Sequence, residues 1–252
     1  MASAAAPVST QREPELAGQT VVVIGGSAGI GLETARRARA EGADVILTGR
    51  DPERLERAAR DVDARSTAAF DANDAAALRR FFDGLPDRID HVMITAGGPQ
   101  YGPLLEMDSD QVRHALGEHV VLALEVARNA VGRMRPGGTL LLMGGTGGRR
   151  ISRDLGIASA ATAALPPFAA ALALELAPIR VNLIAAGFVD TPLSAALLED
   201  RLEERRNELR KTLPIARVVS PADVAALAVH IMGNTALTGA TYDIDGGQQF
   251  VS

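Results

Sequence analysis

Val21-Val22-Val23-Ile24-Gly25-Gly26-Ser27-Ala28-Gly29-Ile30-Gly31 is an apolar, β-branched run that ends in glycines, with a helical pattern starting directly behind it. Its first four residues lack the alternation of a half-exposed strand and predict one buried on both faces, as in a parallel sheet covered by helices. Gly25, Gly29 and Gly31 meet three needs of a phosphate-binding turn: a tight bend, close approach of backbone to a diphosphate, and close packing of helix on strand. The helix behind them presents unpaired backbone N–H groups and its positive dipole end to such an anion. A glycine cluster alone also fits an ordinary strand-to-helix turn, so the reading depends on its surroundings.

Those surroundings repeat a strand-helix unit. Leu32, Ala35 and Ala38 follow at helical spacing up to Gly42, and residues 45–48 form a second strand ending at Gly49-Arg50. In dinucleotide folds the residue at that strand end reads the adenosine ribose, a carboxylate for a free 2′-hydroxyl and an arginine for a 2′-phosphate. Arg50 therefore predicts NADP(H) in preference to NAD(H); the alternative is a solvated arginine opening the helix 51–60. Residues 66–70 make a third strand ending at Asp71-Ala72, residues 74–83 a helix, and residues 89–95 a fourth strand closed by Ala96-Gly97-Gly98-Pro99. The second half continues with a helix over 111–131 (Val112, Leu116, Val120, Ala123, Ala127 and Ala130 on one stripe), a strand over 138–143, a helix over 158–177 and a strand over 180–185. A helix over 222–232 and a strand over 241–245 close the pattern. This predicts an α/β protein with a doubly wound parallel sheet, one domain over 16–252, a tail over 1–15 and a short lid at about 191–214. The charged stretch 197–213 within that lid reads equally as a solvated helix. The helix 158–177 is apolar nearly all round, which predicts cover on more than one side and hence a homo-oligomer, dimer or tetramer.

With 252 residues and 47% hydrophobic content the chain can bury a large core. A net charge of −5 without a basic run argues against nucleic acid or an anionic membrane as the main ligand and favours a small molecule. Cysteine is absent and the 4 histidines are dispersed, so neither a thiolate site nor a metal-ligand spacing is expected. Residues 1–14 lack the basic start and apolar stretch of a signal peptide, and no stretch reads as a membrane span, so a cytoplasmic protein is expected.

The motifs together resemble the short-chain dehydrogenase/reductase family from Leu16 to Phe250. Gly25-Gly26-Ser27-Ala28-Gly29-Ile30-Gly31 is similar to its cofactor loop, Asp71 to the residue that holds the adenine amine, and Ala96-Gly97 to the end of its Asn-Asn-Ala-Gly turn. Ile179-Arg180-Val181-Asn182, Gly187-Phe188-Val189-Asp190-Thr191-Pro192 and Asp243-Ile244-Asp245-Gly246-Gly247 also match, with Thr191 where members hold the nicotinamide carboxamide. The resemblance implies a Rossmann fold and NADP(H) binding.

It fails at the catalytic tetrad. Ala158 stands at the position of the family's tyrosine, Thr162 at that of its lysine, Gly145 at that of its serine and His119 at that of its asparagine. The two tyrosines, Tyr101 and Tyr242, lie far from the motif along the chain, and the sole lysine is Lys211. A positioned general acid supplies roughly 10²–10⁴-fold, whereas near-attack positioning supplies as much or more, so hydride transfer to an already activated substrate survives its loss. The expected function is an NADP(H)-dependent oxidoreductase with a non-standard site, in which His119 and Thr146 are the nearest replacements. His119 reads equally as a core histidine, Thr146 as a turn residue, and Ser159 as a helix cap. The competing reading is a nucleotide-binding protein without a redox step, a sensor or a subunit of a hetero-oligomer; a lyase or isomerase has no residue evidence.

Overall fold

The computed structural model describes residues 15–149, 151 and 153–251; the expected tail lies outside them except for Glu15. Seven strands, β1 (Thr20–Ile24), β2 (Asp44–Gly49), β3 (Ser66–Ala69), β4 (Ile89–Ile94), β5 (Met134–Gly145), β6 (Arg180–Ala186) and β7 (Thr241–Ile244), form one sheet in the order β3-β2-β1-β4-β5-β6-β7. Every neighbouring pair is parallel. The order reverses direction between β1 and β4, and in open parallel sheets the ligand crevice opens at the carboxyl edge beside that point.

The strand alternation decides which helices cover which face. Val22, Ile24, Val92, Ile94, Leu140 and Leu142 point to a core shared with α3 (Ala75–Asp83), α4 (Ser109–Ala130) and α5 (Gly156–Glu175). Val21, Val23, Val45, Leu47, Met93 and Leu141 point to the opposite core, closed by α1 (Gly29–Ala40), α2 (Pro52–Val62) and α8 (Pro221–Gly233). Burial on both faces is why these strands read as continuous apolar runs. Between β6 and α8 the chain makes α6 (Pro192–Leu198) and α7 (Leu202–Thr212), over the stretch read in the sequence as a lid or a solvated helix.

Two expectations need correction. The stripe predicted on α4 is buried at Ala123, Ala127 and Ala130, but Leu116 is exposed and Val112 and Val120 are only half-buried. Residues 153–175 are long and apolar enough to cross a membrane by length and composition, against the expectation that no stretch is. The helix instead packs on the sheet and on α4, with Ile157, Ala161, Leu165, Ala169 and Leu172 buried.

Arg180, in the stretch Ile179-Arg180-Val181-Asn182, is 6% exposed and donates to the carbonyls of Gly137, Ile231, Met232, Asn234 and Leu237. Asn182 donates to the Leu237 carbonyl and accepts from Ala240 N–H. These side chains satisfy the carbonyls at the end of α8 and fix the turn into β7.

Candidate active site

β1 ends against the first glycine. Gly25 has φ +96°, and a Cβ on it would lie 2.7 Å from Ala96 N; a Cβ on Gly31 would lie 2.4 Å from the Gly25 carbonyl oxygen. Both are approaches only hydrogen allows. Thr95 ties the turn from behind, its hydroxyl donating to the carbonyls of Gly25 (3.0 Å) and Ile24 (3.2 Å). Ser27 is buried beneath Gly49, and Ala28, the N-cap of α1, contributes no side-chain cap. The first N–H groups of α1 are thus left for a ligand, and with the glycines they form a cradle that suits a dinucleotide's diphosphate.

Farther along the same edge, Arg50 leaves the end of β2 exposed, with no hydrogen bond or ion pair among the described residues. Asp71, just past β3, accepts from Asn73 N–H with one oxygen, and its other oxygen has no partner among the described residues, next to buried Ala72. On the other side Thr191 caps α6, accepting from Ser194 N–H at 3.1 Å, and its Cβ and methyl lie 3.5 Å from where a Cβ on Gly29 would be. Gln248 accepts from Phe188 N–H at 2.7 Å, holding the loop that leads into Thr191.

The cradle opens onto a cleft of about 580 Å³ lined by Ile30, Ala96, Gly97, His119, Gly145, Thr146, Ala158, Ser159, Thr162 and Thr191 among others. Cofactor and catalytic candidates from six segments of the sequence therefore meet in one cavity; the glycine turn borders it through Ile30, and Gly25, Ser27, Ala28, Gly29, Gly31, Arg50, Asp71 and Ala72 stand outside its lining. At the positions that the resemblance aligns with the tetrad the contacts are explicit. Thr162 donates its hydroxyl back to the carbonyls of Ala158 and Ser159, so it faces its own helix, and its methyl fills the space beside Gly145, 3.3 Å from where a Cβ would sit. Thr146 is buried in the 3-10 turn after β5.

His119 has a buried Nδ1 with no partner, and burial lowers its pKa, partly offset by Glu118. Ser159 is not a cap, because α5 begins at Gly156; its Oγ is buried without a partner beside the cleft. Tyr101, remote in sequence, lines the same cleft, carried there by the segment after β4 and held where Gly102 N–H donates to the Asp154 carbonyl. Tyr101 is about half exposed, and burial of the part of the ring the cleft covers pushes its phenol above the usual range, so it stays protonated at neutral pH. Nothing in the spacing marks this residue; only the path of the loop over the carboxyl edge brings it in.

A parallel sheet of this order, with a glycine turn after β1 and a side-chain-lined cleft at the carboxyl edge, is the architecture of a dinucleotide-binding fold. The profile of the family described as enoyl-(acyl carrier protein) reductase matches residues 25–249, and the chain belongs to the short-chain dehydrogenase/reductase family. It is similar to an uncharacterized oxidoreductase of Mycobacterium tuberculosis, at 30% identity covering 92% of each chain. It is also similar to an NADP-dependent (R)-specific alcohol dehydrogenase of Lentilactobacillus kefiri, at 28% identity covering 92% of this chain and 97% of the relative. Among solved structures, BdcA in complex with NADPH superposes with TM-score 0.82 at 26% identity, covering 92% of this chain and 95% of that one. The family acts on small molecules with a nicotinamide dinucleotide cofactor, and the cradle fits that group.

Proposed function

We propose that the chain is an NADP(H)-dependent oxidoreductase with a non-standard catalytic site, acting on a substrate that is already activated, such as an iminium ion or a conjugated carbonyl. The observation that carries this reading is a glycine turn and uncapped helix start that suit a dinucleotide, beside a cleft lined by Gly145, Ala158 and Thr162 at the positions the resemblance aligns with the tetrad. The relatives that name NADP or NADPH support the choice of cofactor, as does the unpartnered Arg50 at the end of β2.

When bound, the nicotinamide supplies or takes the hydride. The chain's residues do the rest: Gly25, Gly29, Gly31 and the start of α1 hold the diphosphate, Arg50 the 2′-phosphate, Asp71 the adenine amine, and Ala96, Gly97 and Thr191 frame the nicotinamide end. His119 gives up a proton readily once it has one, because burial disfavours its charged form. Tyr101 is the other proton source in the cleft, and Thr146 orients a substrate oxygen.

The test is a panel of imines, enones and unactivated ketones with NADPH, on the unmodified protein and on His119→Ala and Tyr101→Phe. Turnover of activated substrates only, reduced roughly 10²-fold in one variant with NADPH affinity unchanged, is the expected result. Turnover that rises as pH falls below the ordinary histidine range assigns the proton to His119; a flat profile with loss in Tyr101→Phe assigns it to the phenol. Tight NADPH binding without oxidation of the cofactor by any compound moves the protein to a nucleotide-binding role without a redox step. Exposed Leu116 and Val121 on α4 and Leu174 on α5 support a homo-oligomer, which light scattering at micromolar concentration checks.

A further inference from the structure

The lid carries a charge pattern that the cofactor reading does not use. Of its arginines, Arg206 is paired with Asp190 and Glu203, and Arg210 with Asn207 and Glu203. Both are held away from the cleft. Arg201 and Arg205 line the cleft instead. Arg205 shares Glu208 at 2.6 Å, whereas Arg201 has no ion pair or hydrogen bond among the described residues.

Arg201 is the N-cap of α7 and Arg205 lies four residues on, so the two side chains leave the backbone from one face, a turn apart. Like charges at that spacing repel, and an anion between them reverses the sign. The backbone is arranged to put them there: Glu199, with φ +48° and ψ −120°, breaks the chain between α6 and α7 in a conformation that favours glycine. That break swings the 3-10 turn ending at Arg201 toward the cleft, while Leu193, Leu197 and Leu198 of α6 give the same wall an apolar surface.

We infer that the lid selects a substrate with an apolar body and an oxyanion end, a carboxylate or phosphate, held by Arg201 with Arg205 beside it. Guanidinium groups take such oxyanions through paired N–H donors, which a neutral ester cannot match. Asp154, on the segment before α5, is the one carboxylate lining the cleft among the described residues, and it disfavours a second anionic group on the substrate. This inference rests on the proposed function for its setting, since it places the substrate beside the cofactor cradle.

The experiment uses the full chain saturated with NADP⁺, where an enal cannot be reduced and binding alone is read by calorimetry. The probes are 4-carboxycinnamaldehyde, its methyl ester and the 4-phosphate analogue. The acid, the phosphate or both should bind about tenfold or more tightly than the ester, and the stronger of the two identifies the oxyanion. Raising the salt should weaken the anions and leave the ester unchanged. Arg201→Gln should abolish the preference while ester and NADP⁺ affinities stay within about twofold, and Arg201→Lys should restore part of it.

Equal binding of acid, phosphate and ester by the unmodified protein overturns the inference. So does a loss of NADP⁺ affinity in Arg201→Gln, which would give Arg201 to the cofactor. Should the chain bind no NADP⁺ at all, the proposed function falls, and the same titrations on the free protein still decide whether Arg201 reads an anion.

Discussion

At the scale of single residues the site is a matter of space before it is one of charge. Gly31→Ala places a methyl 2.4 Å from the Gly25 carbonyl and 2.5 Å from the Thr95 hydroxyl, so the turn must open. NADPH affinity should fall about tenfold or more, with a stability loss of about 1–3 kcal/mol; fluorescence titration and urea unfolding read the two effects separately, and unchanged affinity would show that the turn does not cradle the diphosphate. Thr95→Val removes the hydroxyl that donates to Gly25 and Ile24 at nearly constant volume, and should cost about 1 kcal/mol and weaken NADPH in proportion. These two residues also mark the limit of what a sequence reveals. The turn itself calls for glycine at 25 and 29, which have positive φ, and spacing exposes that local need, whereas the close approach of Thr95 and Ala96 to Gly25 and Gly31 is set by β4. Thr95 reads as a departure from the family's Asn-Asn pair, and its role emerges only when β4 lies beside β1. Tyr101 and Ser159 are hidden for the same reason: a loop crossing the sheet edge and a helix beginning two residues early decide where they point.

Whole elements are legible where one surface dictates them. The strands buried on both faces and the helices α1, α2, α3 and α8 follow from apolar period alone, because each lies flat on the sheet. The amino-terminal part of α4 does not, since it runs past the carboxyl edge, with the Glu118 carbonyl facing Gly97, where no strand remains to bury a stripe. The stretch 197–213 was legible as a charged insertion, but the unequal pairing of its arginines depends on partners in other segments, such as Asp190 for Arg206. The same holds for Arg180, whose motif gives no hint that it binds five carbonyls. Arg180→Met keeps the stem and strands those acceptors, and should destabilise the protein by about 3 kcal/mol or more while leaving NADPH affinity per folded molecule unchanged. Urea unfolding with a cofactor titration checks this; a loss under about 1 kcal/mol would mean that water replaces the guanidinium without cost.

For the molecule as a whole, a doubly wound parallel sheet was foreseeable from the strand-helix repeat, and what the repeat could not announce is a buried histidine in its central strand. His91, on β4, is 3% exposed; its Nε2 lies 2.6 Å from the Gln19 side-chain oxygen and its Nδ1 is buried without a partner. Gln19 donates its own amide to the Glu15 carbonyl, so its oxygen faces the ring and the ring donates from Nε2. Burial, helped by the charge of Arg180, lowers the His91 pKa from 6.5 to about 3. The sign follows from linkage: below pH 6.5 the unfolded chain binds a proton that the native state refuses until about pH 3, so folding stability is full above 6.5 and falls as pH drops through that window. The slope approaches about 1.4 kcal/mol per pH unit for this one group, and His119, lowered by its own burial, adds in the same direction. Asp223 and Asp243, held low by Arg217 and Arg149, lose their contribution only below the ordinary carboxylate value of 3.8, so they leave the upper part of the window to the histidines. Unfolding free energies from urea curves at about pH 7.5, 6.5, 5.5 and 4.5 should be level across the first interval and decline across the next two. In His91→Gln the decline should lose close to one proton's worth of slope; a decline identical to that of the unmodified protein would show that His91 takes its proton without unfolding.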